Sequence, residues 1–371
     1  MSKPIRILQY GLSDSLAGVE KVIMDLYRNI DRDRIQFDFL MMNDQIPYFA
    51  DEIENMGGRI YNAIYLRGKN PIKGTFWNYD FFRKHREFAG IHCNVSSIIG
   101  INRILTPYVQ KHIPKRIIHV HNTGDGAECT KKHIAKVEYV RAKLNKYATD
   151  LIACSHYAGV YNYGEGIEFE TVLNAISLEH YRFDFEARNK IRKKYGLENR
   201  LVIGNVAKMR YQKNHDFLID VFFEIRKRAA NAVLMLIGVG PLETEIRKKI
   251  EMLGIQDSVL FLGEKKDVEK YYSAMDLFVL PSRYEGLGLV FLEAQTSGLS
   301  CFTSTGTPQE VDMTNNTHFL GLDKAPAAWA EEILQARVFN EIERKAIFNT
   351  MVDKKCDVLD YAKQFEGIYL R

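Results

Sequence analysis

The chain has 371 residues, 46% of them hydrophobic and 26% charged, with 9 prolines; it is too long for one comfortable core, suits two domains of ordinary size, and is neither disordered nor collagen-like. Lysine and arginine number 51 against 47 acidic residues, a formal net charge of +4, so the overall balance gives no reason to expect a nucleic-acid partner. Cysteines 93, 129, 154, 301 and 356 form no C-x-x-C pair and point to a reducing compartment; no apolar run approaches the ~18 residues of a membrane span, and the start MSKPIRILQYG lacks the apolar core of a signal peptide. The expected location is the cytoplasm, with at most a peripheral contact on the inner face of a membrane.

In chain order, short β-rich runs alternate with longer amphipathic ones. The spacing predicts strands at residues 5–9, 35–41, 116–121, 150–154 and 171–174, then at 201–206, 233–237, 258–262, 276–280 and 300–304. Helices are predicted at 18–29, 97–112, 130–146, 213–229, 241–253, 266–274 and 288–297. Such alternation implies an α/β chain with two Rossmann-like, doubly wound parallel sheets, each covered by helices on both faces. The charged, weakly periodic stretch 177–200 is the expected hinge. Ligands of such sheets bind beyond the carboxyl ends of the strands, so two domains facing across a cleft place the site in the loops that leave those ends.

Four of these loops carry unusual residues. GLSDSLAGVE, residues 11–20, sets Gly18 at a helix start, where backbone amides can approach an anion; a surface loop needing glycine for its turn would read the same. IIHVHNTGDG, residues 117–126, places His119 and His121 on one strand face, or His121 already in the loop. Asp125, Cys129 and His133 give no clean zinc spacing, and no metal is expected. A neutral His121 can donate to a sugar hydroxyl or simply be a satisfied core residue.

AKMRYQKNHD, residues 207–216, concentrates Lys208, Arg210 and Lys213 at a helix start. Cations there oppose the helix macrodipole unless something anionic compensates, which suits a diphosphate. PSRYEGLGLVFLEAQTSG, residues 281–298, offers the amides of Gly286, Leu287, Gly288 and Leu289 as an anion nest. It also sets Glu285 and Glu293 eight positions apart. Carboxylates accept hydrogen bonds and do not donate them, so these acids suit hydroxyls on either side of a phosphate. The ligand that fits is a nucleotide sugar: Glu293 on the ribose, Glu285 on the transferred sugar, Lys208 and Lys213 on the diphosphate.

The segment PSRYEGLGLVFLEAQTSGLSC resembles the Glu-x7-Glu signature of family 4 retaining glycosyltransferases, which have the GT-B architecture. LAGVEKVIMDL, GNVAKMRYQKNHDFLIDVF, DLIACSHYAGVYNYG, VLNAISLEHYRFD and FLGEKKDVEKYYSAMDLFVLPS resemble further segments of the family, in the same order. HVHNTG, ACS and CDVLDYAKQFEGIYLR are similar to its bacterial capsular and extracellular polysaccharide branch. The resemblance implies an acceptor-side domain over residues 1–178, a nucleotide-sugar-binding domain over 179–354, and a last helix, 355–371, crossing back to the first. It implies that Gly18 and the amides of 286–289 hold the diphosphate, that Lys213 contacts it, and that His121 lies beside the donor sugar. Lys208 stands where the family has arginine and Ala207 where it has glycine; lysine keeps the charge and loses the two-pronged fork.

Also implied are a UDP-linked donor, an acceptor glycan or lipid-linked saccharide, and no cofactor. The reaction would transfer a hexose-type unit, with Glu285 orienting the sugar and conceivable as a nucleophile. A nucleotide-sugar epimerase or a catalytically silent partner subunit would share the fold. A dinucleotide-dependent oxidoreductase would need G-x-G-x-x-G after the first strand, which GLSDSLAG does not supply. Acceptor recognition is expected in the loops 43–50, 67–86 and 122–130.

Overall fold

In the computed structural model, which describes residues 3–14, 18–41, 45–63, 71–102, 104–124 and 130–371, the strands form two wholly parallel sheets. The first contains β1 (Ile5–Tyr10), β2 (Ile35–Met41), β3 (Ile60–Asn62), β4 (Phe88–Val95), β5 (Lys115–Val120), β6 (Asp150–Ala153) and β7 (Glu170–Thr171). Their order is β3-β2-β1-β4-β5-β6-β7. The second contains β8 (Leu201–Val206), β9 (Ala232–Ile237), β10 (Val259–Phe261), β11 (Leu277–Leu280), β12 (Ser300–Ser304) and β13 (Thr317–Leu320), in the order β10-β9-β8-β11-β12-β13. Both sheets run outward from their first strand in one direction and then in the other. The switch points, where ligands of such sheets bind, lie between β1 and β4 and between β8 and β11.

The chain divides into two compact units, one of Met1–Ala175 with Val358–Arg371, the other of Ile176–Asp357. Within the second unit the chain's entry and exit lie side by side: Ile176 bridges Asp357, and the Leu178 amide donates to Asp357 Oδ2 at 3.1 Å. The stretch 177–200 is therefore no hinge. It forms the helices Leu178–Tyr181 and Phe185–Tyr195 of the second unit, the latter capped by the Asp184 carboxylate and closed by Gly196 in the left-handed region. Lys190, Lys193 and Lys194 lie on the solvated face of a helix that turns Ala187 and Ile191 inward, while Arg188 and Arg192 pair with Asp276.

The single helix expected over 97–112 is also corrected. A short 3-10 turn at Ile98–Ile101 and a helix at Pro107–His112 replace it. Pro107 disfavours helical geometry at the residue before it, and Thr106 instead takes the N-cap, its hydroxyl accepting from the Val109 amide.

Each unit has its own core. In the second, the helix His215–Arg228 turns Leu218, Phe222 and Ile225 onto β8, β9 and β11, with Trp329 of the helix Pro326–Gln335 completing the layer. In the first, Phe365 and Tyr369 of the terminal helix Val358–Leu370 pack with His92 and Phe37 against β4 and β2. The chain end is thereby part of the first unit's core.

Candidate active site

β8 and β11 are neighbours in the second sheet, so the loops that leave their carboxyl ends meet. The Arg283 amide donates to Gln212 O at 2.8 Å, and Gln212 Nε2 returns a bond to Tyr284 O at 2.9 Å. This weave brings Lys213 Nζ to 2.5 Å from Glu285 Oε1, while Ser282 Oγ donates to the same oxygen at 2.6 Å. Glu285 is only 4% exposed. The anion that the macrodipole argument demanded beside Lys213 is thus a carboxylate of the chain itself.

Beyond Glu285 the backbone turns into the helix Leu289–Thr296 through Gly288, whose φ of +86° lies in the left-handed region. A Cβ on Gly288 would stand 2.8 Å from Phe291 Cδ2, so only glycine fits this turn. Among the described residues, the amides of Leu287, Gly288 and Leu289 have no hydrogen-bond acceptor. Three free N–H groups at a helix start form a receptor for an anion.

Glu293, on the same helix, is 4% exposed and accepts from the Tyr272 hydroxyl at 2.8 Å. Burial and the adjacent carboxylate hold the Tyr272 phenol well above its ordinary pKa, so it stays a donor. Arg344 fixes both elements. Its guanidinium, pushed down to about 9 by burial, donates to the carbonyls of Tyr272, Ser273, Met275 and Ser297. These carbonyls end the helix Val268–Ala274, which carries Tyr272, and the helix that carries Glu293.

Residues 187–347 match the family model described as Glycosyl transferases group 1. Over 370 residues the chain is 30% identical to the putative glycosyltransferase EpsF of Bacillus subtilis, covering 98% of this chain and 96% of that one. The chain belongs to the group 1 glycosyltransferases. The glycosyltransferase is also 29% identical over 160 residues to the GDP-mannose-dependent phosphatidylinositol monomannoside mannosyltransferase of Mycobacterium tuberculosis, 40% of this chain and 42% of that one. Its fold is that of Anabaena HepE solved with UDP, with a TM-score of 0.79 at 18% identity over 98% of this chain and 99% of HepE. Its two doubly wound units are therefore of the GT-B class.

Lys208 follows β8 half-buried, with no ion pair or side-chain hydrogen bond among the described residues. In the first unit Gly18 is exposed at the start of the helix Gly18–Asn29. Its loop is described only to residue 14 and again from 18. Gly11 turns away from β1 at φ +121°, and a Cβ there would lie 2.0 Å from Asn94 O. Asp125 and Cys129, weighed as metal ligands, lie outside the described residues, as do parts of the three loops expected to meet the acceptor.

His121 directly follows β5, and its ring centroid is 3.9 Å from that of His119, so the two share one face. Asn94 Oδ1 and Asn174 Oδ1 lie 3.1 Å from Nε2 and Nδ1 respectively. Burial lowers the ring's pKa to about 4, the Asn174 contact working the other way, and His92 and His119 are depressed by burial too. His121 is neutral at ordinary pH and donates through one nitrogen only. Sequence reasoning passed over Ser282, Tyr272, Arg344, Asn94 and Asn174. Each is an uncharged or distant side chain that becomes a site residue only once the fold sets it against a recognised one.

Proposed function

We propose that this glycosyltransferase moves a hexose-type unit, with retention of configuration, from a UDP-linked donor to an acceptor hydroxyl in surface polysaccharide or glycoconjugate synthesis. The observation that carries the reading is the run of free amides at Leu287–Leu289 beside the buried Lys213–Glu285 pair. A diphosphate would seat on the amides and draw Lys213 Nζ away from Glu285. The released carboxylate would accept from hydroxyls of the transferred sugar. Glu293, with one oxygen steadied by Tyr272, would accept from the ribose, and Lys208 would supply further positive charge. Gly18 and its loop are proposed as a second set of amides for the diphosphate.

In the proposed reaction the bond between the anomeric carbon and the phosphate oxygen breaks while the acceptor oxygen bonds to the same face of the sugar. The acceptor proton passes to the departing phosphate oxygen. Preorganised donors aimed at that leaving group are the largest available source of acceleration, and Lys213 with the three amides would provide them. Glu285 orients the sugar, and neutral His121 is the first unit's proposed contribution beside it, its single N–H held by Asn94 and its Nδ1 able to accept from a hydroxyl. No cofactor or metal enters the scheme. UDP is favoured over GDP because HepE, alike over nearly its whole length, was solved with UDP, whereas the GDP-mannose-dependent relative matches only 40% of this chain.

The acceptor is proposed to be a glycan or a lipid-linked saccharide, met in the cytoplasm at the inner face of the membrane. Among the described residues no helix is long and apolar enough to cross a bilayer. The helix Lys131–Tyr147 sets Lys131, Lys132 and Lys136 beside exposed Ile134 and Tyr139, a composition suited to an anionic lipid surface. Incubating the enzyme with UDP-glucose, UDP-galactose, their N-acetyl forms and GDP-mannose, together with lipid-linked acceptors, tests the reading. UDP release with an α-linked product is expected. A β-linked product would overturn retention, and no binding and no release across the panel would overturn the transferase reading.

A further inference from the structure

The parallel register puts a row of polar side chains on one face of the first sheet. Gln9 of β1 pairs with His92 of β4, and Asn94 of β4 pairs with His119 of β5. All four are at most 3% exposed. Tyr369, two positions from the chain end and 4% exposed, reaches this row from the terminal helix and joins it at two points. Its hydroxyl receives a bond from Gln9 Nε2 at 3.1 Å and lies 2.6 Å from His92 Nδ1.

Each bond in the row constrains the next. Because Gln9 Nε2 donates to Tyr369, Gln9 Oε1 faces Asn94 and accepts from its Nδ2 at 3.0 Å. Asn94 therefore presents Oδ1, an acceptor, to His121 Nε2. A neutral imidazole has a single N–H, and an acceptor opposite Nε2 requires that proton to be there. Asn174 has no other side-chain hydrogen bond among the described residues, so its amide can turn to donate to Nδ1. On the other branch the one hydroxyl proton of Tyr369 is given to His92 Nδ1, which makes His92 Nε2 the donor to His119 Nδ1 at 3.3 Å. This leaves His119 Nε2 as the buried atom without a partner.

We infer that Tyr369 is a positioning residue: through Gln9 and Asn94 its hydroxyl holds His121, far from it in sequence, in the Nε2–H form. The inference rests on the reading of His121 as a residue that acts at the donor sugar. Without the hydroxyl, Gln9 has no reason to keep its amide in one orientation. Asn94 follows Gln9, and His121 divides between its two tautomers. Tyr369→Phe keeps the ring contacts with Phe37 and Phe365, at 5.6 and 5.8 Å between centroids, so the packing survives the loss of one oxygen. Gln9→Leu breaks the same route one link further on, with Tyr369 intact.

The test reads the His121 tautomer directly, from long-range proton–nitrogen correlation spectra of the full chain labelled with nitrogen-15 histidine, alongside transfer turnover and UDP affinity. The wild type should show Nε2–H alone. Both variants should show mixed tautomers, a turnover lower by roughly tenfold and an unchanged UDP affinity. An Nδ1–H wild type, or an unaltered His121 in both variants, would overturn the inference. Mixed tautomers with unchanged turnover would support the coupling and instead overturn the role given to His121.

Discussion

Lys213 and Glu285, the residues proposed to meet the donor's diphosphate and sugar, neutralise each other across 2.5 Å. Their side chains are 14% and 5% exposed, so each would be a nearly buried, uncompensated charge without the other. Breaking such a pair by removing one partner costs about 3–5 kcal/mol, much of it the desolvation of the survivor. Glu285→Ala and Lys213→Ala should each destabilise the second unit by an amount of that order. The double variant should lose markedly less than the sum, as read from denaturant unfolding. Additive losses would mean that the pair is not coupled.

Lys208 should respond differently, because nothing among the described residues holds it. Lys208→Ala is expected to leave stability within about 0.5 kcal/mol of the wild type while weakening UDP roughly tenfold through loss of a charge-assisted contact. Lys208→Arg should bind UDP at least as tightly as the wild type, since the guanidinium fork matches phosphate geometry. Calorimetric titration of UDP into the three proteins distinguishes these outcomes.

The buried histidines make stability depend on acidity. His121 and His215 are each held near 4, by burial and, for His215, also by Lys213. In the unfolded chain they titrate near about 6.5. Between those values the unfolded state binds more protons, so stability is full above pH about 6.5 and falls as pH drops towards the folded pKa. Each contributes on the order of 3 kcal/mol, from the value of one pKa unit. His92 and His119 are also lowered and add to the loss in the first unit. Unfolding free energies measured from pH 8 down to pH 4.5 should therefore decline below about 6.5; a flat profile would contradict the neutral buried rings.

Arg344 and Gly298 share a contact that supports the site from behind. Gly298 has φ +75°, and a Cβ there would lie 2.6 Å from Arg344 Cβ. Gly298→Ala should push Arg344 off its carbonyls, and Arg344→Met should strand those carbonyls without donors, each costing about 3 kcal/mol or more. Because Tyr272 hangs from the same segment, both variants should also weaken UDP. Thermal unfolding with and without UDP measures the two effects together.

The alternation of short β runs and amphipathic helices was enough to read two doubly wound sheets, because most buried parallel strands are near-continuous apolar runs. β4 escaped notice because FAGIHCNV carries a glycine, a histidine and an asparagine. In place those polar residues are satisfied by Gln9, Tyr369 and His121, which no local pattern can reveal. The stretch 177–200 misled because Arg188 and Arg192 look like solvated charge; both in fact pair with Asp276 at the start of β11. At the candidate site, Lys213 stood out because a cation at a helix start opposes the macrodipole, and Glu285, Glu293 and the glycine turn because carboxylates beside an amide nest can only accept hydrogen bonds. Their partners Ser282 and Tyr272 were not, because a hydroxyl close to a carboxylate is a fact of folding and leaves no mark on composition.

In the proposed division of labour the amides take the phosphates and the two acids take hydroxyls on either side. Calorimetric titration of UDP and of the intact UDP-sugar into the wild type, Glu285→Ala and Glu293→Ala tests it most directly. Glu293→Ala should weaken both ligands by about 10- to 100-fold, the worth of a hydrogen bond to a charged group. Glu285→Ala should leave UDP as tight or tighter, because Lys213 is then free, and should weaken only the intact donor. Equal losses for both ligands in both variants would contradict the account.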